Sequence, residues 1–193
     1  MANQIKCYLC KIHKNLKVKY TYLLLLFCLI SLRFQQPSSF DTNSKIKAAF
    51  IYGFTRYFEW PEQKKAANFV IYVVGNKGES IIGELKGLAG KKKVGNQDIE
   101  IKQSPGYDAS TNSSIIYFTS DCESKMISDA VSKNKGKGTL VISEIPQGCK
   151  SPAAINFIYL DNKLKFEYNK NNAVRSGLQT KEDFKALAAV NCD

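Results

Sequence analysis

The chain has 193 residues, 44% of them apolar, and sets 28 Lys and Arg against 17 acidic residues for a formal charge of +11. That length supports one real hydrophobic core and is short for two full domains, so one domain plus a leader is the expected organisation. The single histidine, His13, falls in the leader, which excludes Ser-His-Asp and Cys-His chemistry and imidazole zinc sites from the remainder and leaves Asp, Glu, Lys, Tyr or Cys as acid-base groups.

Lys6, Lys11, Lys14, Lys17 and Lys19 precede the apolar run Tyr22 to Ile30, and no acidic residue appears before Asp41. A basic region followed by a short apolar run is the pattern of a secretory signal. This run of nine residues falls short of the ~20 that cross a bilayer. Residues 1–36 therefore read as a signal peptide, with an uncleaved anchor flanked by Lys19 and Arg33 as the alternative. Its removal takes away six of the 28 basic residues and none of the 17 acidic ones, leaving a net charge of +5. A nucleic-acid partner thereby loses its main support. The Cys7-x-x-Cys10 pair lies in the same leader, with no fold around it to make a metal or redox site.

Within residues 43–60, Ile46, Phe50, Gly53, Phe54 and Tyr57 follow the spacing of one helical face, and Lys45, Tyr52, Arg56 and Glu59 fall on the other. Asn43 or Ser44 can cap this helix, and Pro61 ends it by restricting Trp60. Core packing accounts for the aromatic face. Tyr52 and Arg56, with Glu59 beside them, make the helix's outer side a candidate partner-binding face, since aromatic and arginine side chains are enriched where partners bind.

The run 68–75 is β-branched, aromatic and nearly uncharged, as suits a strand buried on both faces. Gly75-Asn76-Lys77-Gly78 then leads into a helix over 80–88, where backbone N–H groups could hold an anion or ligand. The loop matches neither dinucleotide-binding nor P-loop patterns, and Glu79 opposes a phosphate there. Residues 97–103 read as a more polar edge strand, 113–120 as an apolar strand, 123–133 as a helix and 138–145 as a strand. This alternation argues for an α/β fold: a three-layer α/β/α sandwich with a largely parallel sheet. Lys91 to Lys93 and Lys133, Lys135 and Lys137 sit in loops entering strands, and a basic rim there would suit an acidic partner or an anionic membrane surface.

Residues 153–169 contain two strand patterns separated by Asp161-Asn162, a hairpin signal. Asn169 and Gly177 bound a short helix, and Thr180 with Asp183 resembles a capping box for a last helix over 181–190. The mature chain retains Cys122, Cys149 and Cys192, which cannot all pair within one chain. Cys122 and Cys149 follow successive strands that leave the sheet at one edge, and parallel neighbours lie at disulfide distance, so Cys122–Cys149 is the expected bridge. Cys149–Cys192 is its rival.

Three stretches, 47–61 ("KAAFIYGFTRYFEWP"), 69–75 ("FVIYVVG") and 154–178 ("AINFIYLDNKLKFEYNKNNAVRSGL"), resemble the YfiR-like family of periplasmic proteins. The resemblance runs in order through nearly all of residues 43–193. It implies a single α/β domain, outside the cytoplasm, that restrains an inner-membrane signalling protein such as a diguanylate cyclase or sensor kinase. Gly53 departs from the family, which commonly has Asn there. The expected function is thus that of a regulatory binding protein without enzymatic activity, cofactor or metal, and with self-association open. A small-molecule-binding protein using the carboxyl edge of the sheet is the alternative.

Overall fold

The computed structural model describes residues 42–192, so the expectations for the leader, residues 1–36 with His13 and the Cys7-x-x-Cys10 pair, lie outside the described residues. The chain begins with helix α1 (Thr42–Phe54), the short strand β1 (Phe58–Glu59) and a single 3-10 turn, Glu62–Lys64. Strand β2 (Phe69–Val74), helix α2 (Glu79–Ala89), the hairpin of β3 (Lys93–Val94) and β4 (Gln97–Ser104), strand β5 (Ile115–Phe118), helix α3 (Ser124–Lys133) and strand β6 (Leu140–Ser143) follow. Strands β7 (Ile155–Leu160) and β8 (Lys163–Tyr168), helix α4 (Lys170–Arg175), and strands β9 (Gln179–Thr180) and β10 (Val190–Asn191) complete it.

One eight-stranded sheet runs β10-β8-β7-β6-β5-β2-β4-β3, and β1 with β9 form a separate antiparallel ribbon. The central strands β4, β2, β5, β6 and β7 are all parallel. Every residue of β2 is buried, and its alternate side chains join two cores. Phe69, Ile71 and Val73 pack with Ile51 and Phe54 of α1 and Leu85 of α2, whereas Tyr72 and Val74 join Ile127 and Ala130 of α3 on the opposite face. Helices thus cover both faces of the sheet, as the near-continuous apolar strands require. The β7–β8 hairpin turns at Asp161 and Asn162, whose φ values of 51° and 58° suit a two-residue turn that asks for positive φ twice. Asn169 caps α4 by accepting from the Asn172 N–H at 2.9 Å.

Two elements differ from their sequence patterns. Helix α1 stops at Phe54, and its buried face is Ser44, Ala48, Ile51 and Phe54, leaving Ile46 39% exposed and Phe50 only half-buried. Apolar residues surround this helix, so spacing alone left its rotation open; Phe58 and Trp60 then enter the core from extended backbone, which Pro61 favours. Past Gly177, the stretch expected to be helical over 181–190 is a 3-10 turn, Glu182–Leu187, followed by β10, which pairs in parallel with β8. Its only fully buried anchor is Phe184, packed among Phe54, Phe58, Phe166 and Tyr168, and one anchor does not make an amphipathic stripe.

Candidate functional site

The amino end of the sheet carries a cleft of about 730 Å³. Its apolar lining comes from Trp60, Phe69 and Val94, and its polar lining includes Glu59, Gln97 and Gln179. Trp60 is fixed by its ring, which meets Phe69 edge-on at 4.9 Å, and by its indole N–H, which donates to the Ser114 carbonyl at 3.1 Å. The Gln97 amide closes the far wall by donating to the Lys64 carbonyl at 2.7 Å and to that of Ala67.

Of the three residues expected at a partner face, Glu59 is exposed on this cleft, and Arg56, three residues before it in the chain, is exposed outside the cleft lining. The Arg56 guanidinium sits 5.7 Å from the centre of the Tyr52 ring, which brings those two together. Tyr52 itself is half-buried rather than solvated, and its hydroxyl donates to the Lys93 carbonyl at 3.3 Å.

The glycine loop at the carboxyl end of β2 does gather N–H groups, and an internal carboxylate occupies them. Asp121 accepts from the Asn76 backbone N–H at 2.9 Å, from the Asn76 side-chain amide at 3.3 Å and from the Lys77 N–H at 3.4 Å. The Thr119 hydroxyl also donates to it, and these bonds, with Thr119 first, hold its carboxyl down at about 2. Gly75 is required here: its φ is 119°, and a Cβ would lie 1.8 Å from the Thr119 hydroxyl oxygen. Sequence reading missed Asp121, although placing the strand before it next to β2 would have brought it to this loop. A cleft of about 410 Å³ beside the loop includes Glu79 in its lining.

The expected Cys122–Cys149 bridge is replaced by its rival. Cys149 bonds Cys192 with 5.2 Å between their Cα atoms, and Cys122 is a free, buried thiol. The strands β5 and β6 are parallel neighbours as anticipated. However, Cys122 turns back over β2, where its Sγ donates to the Val74 carbonyl at 3.3 Å and burial pushes its thiol pKa up. Cys149 sits in a 3-10 turn, Gly148–Lys150, packed on β7 and β8, and β10 delivers Cys192 to the same end through its N–H bond to the Tyr168 carbonyl at 2.8 Å. Glu167 lies against this pair, with potential ligand atoms of all three residues within 4.8 Å, but the disulfide occupies both sulfurs. Nearby, the buried Asn156 side chain is bonded at both ends: it accepts from Ser143 and Ile145 and donates to the Ile145 carbonyl and to Glu167.

Two further charged groups left no sequence signal because their partners are distant in the chain. Lys47 of α1 donates to both Glu144 oxygens at 2.7 and 2.8 Å, and the Tyr117 hydroxyl donates to the same carboxylate at 2.6 Å. Burial first, and Glu144 second, raise the Tyr117 pKa. Lys64 is buried without an ion pair among the described residues; it donates to Asn112 and, at 2.8 Å, to the Ser113 carbonyl. Desolvation and then Lys137 lower its pKa. The lysines of the two basic loops are exposed, and Lys93 pairs with Asp98 at 2.8 Å.

Among the described residues, no helix is long and apolar enough to cross a membrane. No curated protein matches the chain. Residues 44–189 match the model of a YfiR/HmsC-like family.

Proposed function

We propose, from the premise that this chain belongs to the YfiR/HmsC-like family, that it is an exported regulator that restrains an inner-membrane signalling protein by binding its periplasmic part. The family comprises periplasmic regulators of diguanylate cyclase signalling, so a cyclase is the first partner to test and a sensor kinase the second. The family match supports this reading most, because it spans nearly the whole folded domain. Arg56, stacked on Tyr52, and Glu59 on the neighbouring cleft offer the exposed cationic and anionic groups of a contact surface. No catalytic step is assigned to the protein.

The test is crosslinking in intact cells, followed by purification from membranes, with cyclic-di-GMP measured in cells with and without the protein. A crosslinked membrane cyclase, and a rise in cyclic-di-GMP when the protein is deleted, are the expected results. Release of a stoichiometric metabolite from the purified protein, with no membrane protein crosslinked, would replace this reading by the small-molecule alternative.

A further inference from the structure

The ribbon of β1 and β9 leaves one edge open. Its register pairs Phe58 with Thr180 and Glu59 with Gln179, and the Lys181 N–H donates to the Tyr57 carbonyl at 2.9 Å. Hydrogen-bonded pairs alternate in an antiparallel ladder, so Tyr57 with Lys181 and Glu59 with Gln179 carry the bonds. The N–H and C=O of Phe58 therefore point away from β9. Among the described residues, neither group has a hydrogen-bond partner. The 730 Å³ cleft lies against this ribbon: Phe58 and Glu59 of β1 and Gln179 of β9 line it, together with Val94, Gly95 and Asn96 from β3 and the turn joining it to β4. Backbone groups left unpaired along a strand are a template for a further strand.

The lining specifies what that strand should carry. Glu59 makes no ion pair among the described residues, whereas its neighbour Glu62 is neutralised by Lys65 at 2.6 Å. The cleft thus presents one unbalanced carboxylate, on a chain that is basic overall. Trp60, Phe69 and Val94 give it an apolar lining. Alternate side chains of an extended segment point to opposite sides, so one segment can serve both the carboxylate and the apolar lining.

We propose that this cleft takes an extended segment of a partner protein, paired through its backbone to Phe58, with a basic residue at Glu59 and an apolar residue against Trp60, Phe69 and Val94. The identity of that partner as the restrained membrane protein rests on the regulatory reading above; the strand-addition site does not.

Trp60 is the only tryptophan of the chain, so its emission reports on the cleft directly. The purified protein is titrated with the peptide acetyl-VKVKV-amide, with its N-methylated form that cannot pair as a strand, and with acetyl-VEVEV-amide. The expected result is saturable change in Trp60 emission and movement of the Phe58 amide resonance with the lysine peptide alone. Binding should weaken by roughly tenfold or more on N-methylation or on exchange of Lys for Glu, and Glu59→Lys, at an exposed position, should reverse the charge preference. The proposal is overturned by absence of saturable binding at millimolar peptide, by binding indifferent to N-methylation, or by resonance shifts confined to another surface. Peptide binding as described in cells where no membrane partner is restrained would remove the regulatory reading and leave the site standing. Restraint of a partner together with binding indifferent to N-methylation would do the reverse.

Discussion

Replacing Cys149 and Cys192 with alanine opens a closed loop, because the bridge joins positions 43 residues apart. In the chain-entropy treatment, releasing a loop of that length from the unfolded ensemble costs about 4 kcal/mol of stability. For a domain of roughly 150 residues, each kcal/mol moves the thermal midpoint by about 2–4 °C, so a fall of about 8–16 °C is expected. The native state should keep its fold, since the Cys192 N–H bond to Tyr168 and the pairing of β10 with β8 do not depend on sulfur. Circular dichroism melts of oxidised protein, reduced protein and the double variant provide the assay, with the last two expected to coincide. Peptide mapping without reductant should recover Cys122 alkylated as a free thiol. If the oxidised protein and the double variant melt together, the bridge merely pins a frayed end and the loop-entropy reasoning fails. Recovery of Cys122 within a disulfide would refute the pairing itself.

Phe54→Ala removes a ring that is 3% exposed and lies 5.1 Å from Phe166 and 5.6 Å from Phe184, so urea unfolding should show a loss of about 3–5 kcal/mol. Tyr52→Ala forfeits a 3.3 Å hydrogen bond at the surface and the contact with Arg56, which should cost about 1 kcal/mol; a larger loss than for Phe54→Ala would overturn the assignment of the helix faces. Asp121 has a folded pKa of about 2, below its ordinary value, so its contribution is present above the usual carboxylate range and fades as pH falls toward 2. Asp121→Asn should therefore be less stable than the parent at pH 6 and converge with it near pH 2, and a gap independent of pH would show that the carboxylate charge is not what the loop holds.

The residues that encode the sheet are those a local pattern can reveal. The buried runs at 69–74, 115–118 and 140–143 have little choice but to be central strands, and Asp161-Asn162 suits the two positive φ angles that a tight hairpin turn needs. Ambiguity entered where apolar residues surround an element, as on α1, and where a single aromatic anchors a segment, as Phe184 does. The sites were less legible for a different reason. Asp121 meets Asn76 across 45 positions, and Lys47 meets Glu144 across 97, so the charge that fills each place is announced nowhere near it. The disulfide inference used the right strand neighbours and failed on the five residues between the end of β6 and Cys149, which carry that cysteine over to β7 and β8.

Open parallel sheets usually receive ligands beyond the carboxyl ends of their strands, because loops diverge there and helix N-termini point inward. In this protein that end is largely committed to its own structure. Asp121 satisfies the N–H groups of the loop after β2, Asn156 ties the chain after β6 to Glu167, and the Cys149–Cys192 bridge fixes the connection between β6 and β7 beside β10. An incoming anion would have to displace a carboxylate held by four hydrogen bonds and pass Glu79 beside it. The amino end imposes no such cost. There, among the described residues, β1 pairs with β9 alone, Pro61 cannot donate, and Phe58 lines the cleft. The extended partner segment proposed above supplies its own backbone donors and acceptors, which is what that edge lacks. Among the described residues, this contrast between the satisfied N–H groups of the loop after β2 and the unpaired edge of Phe58 is what supports the proposed strand addition at the amino end.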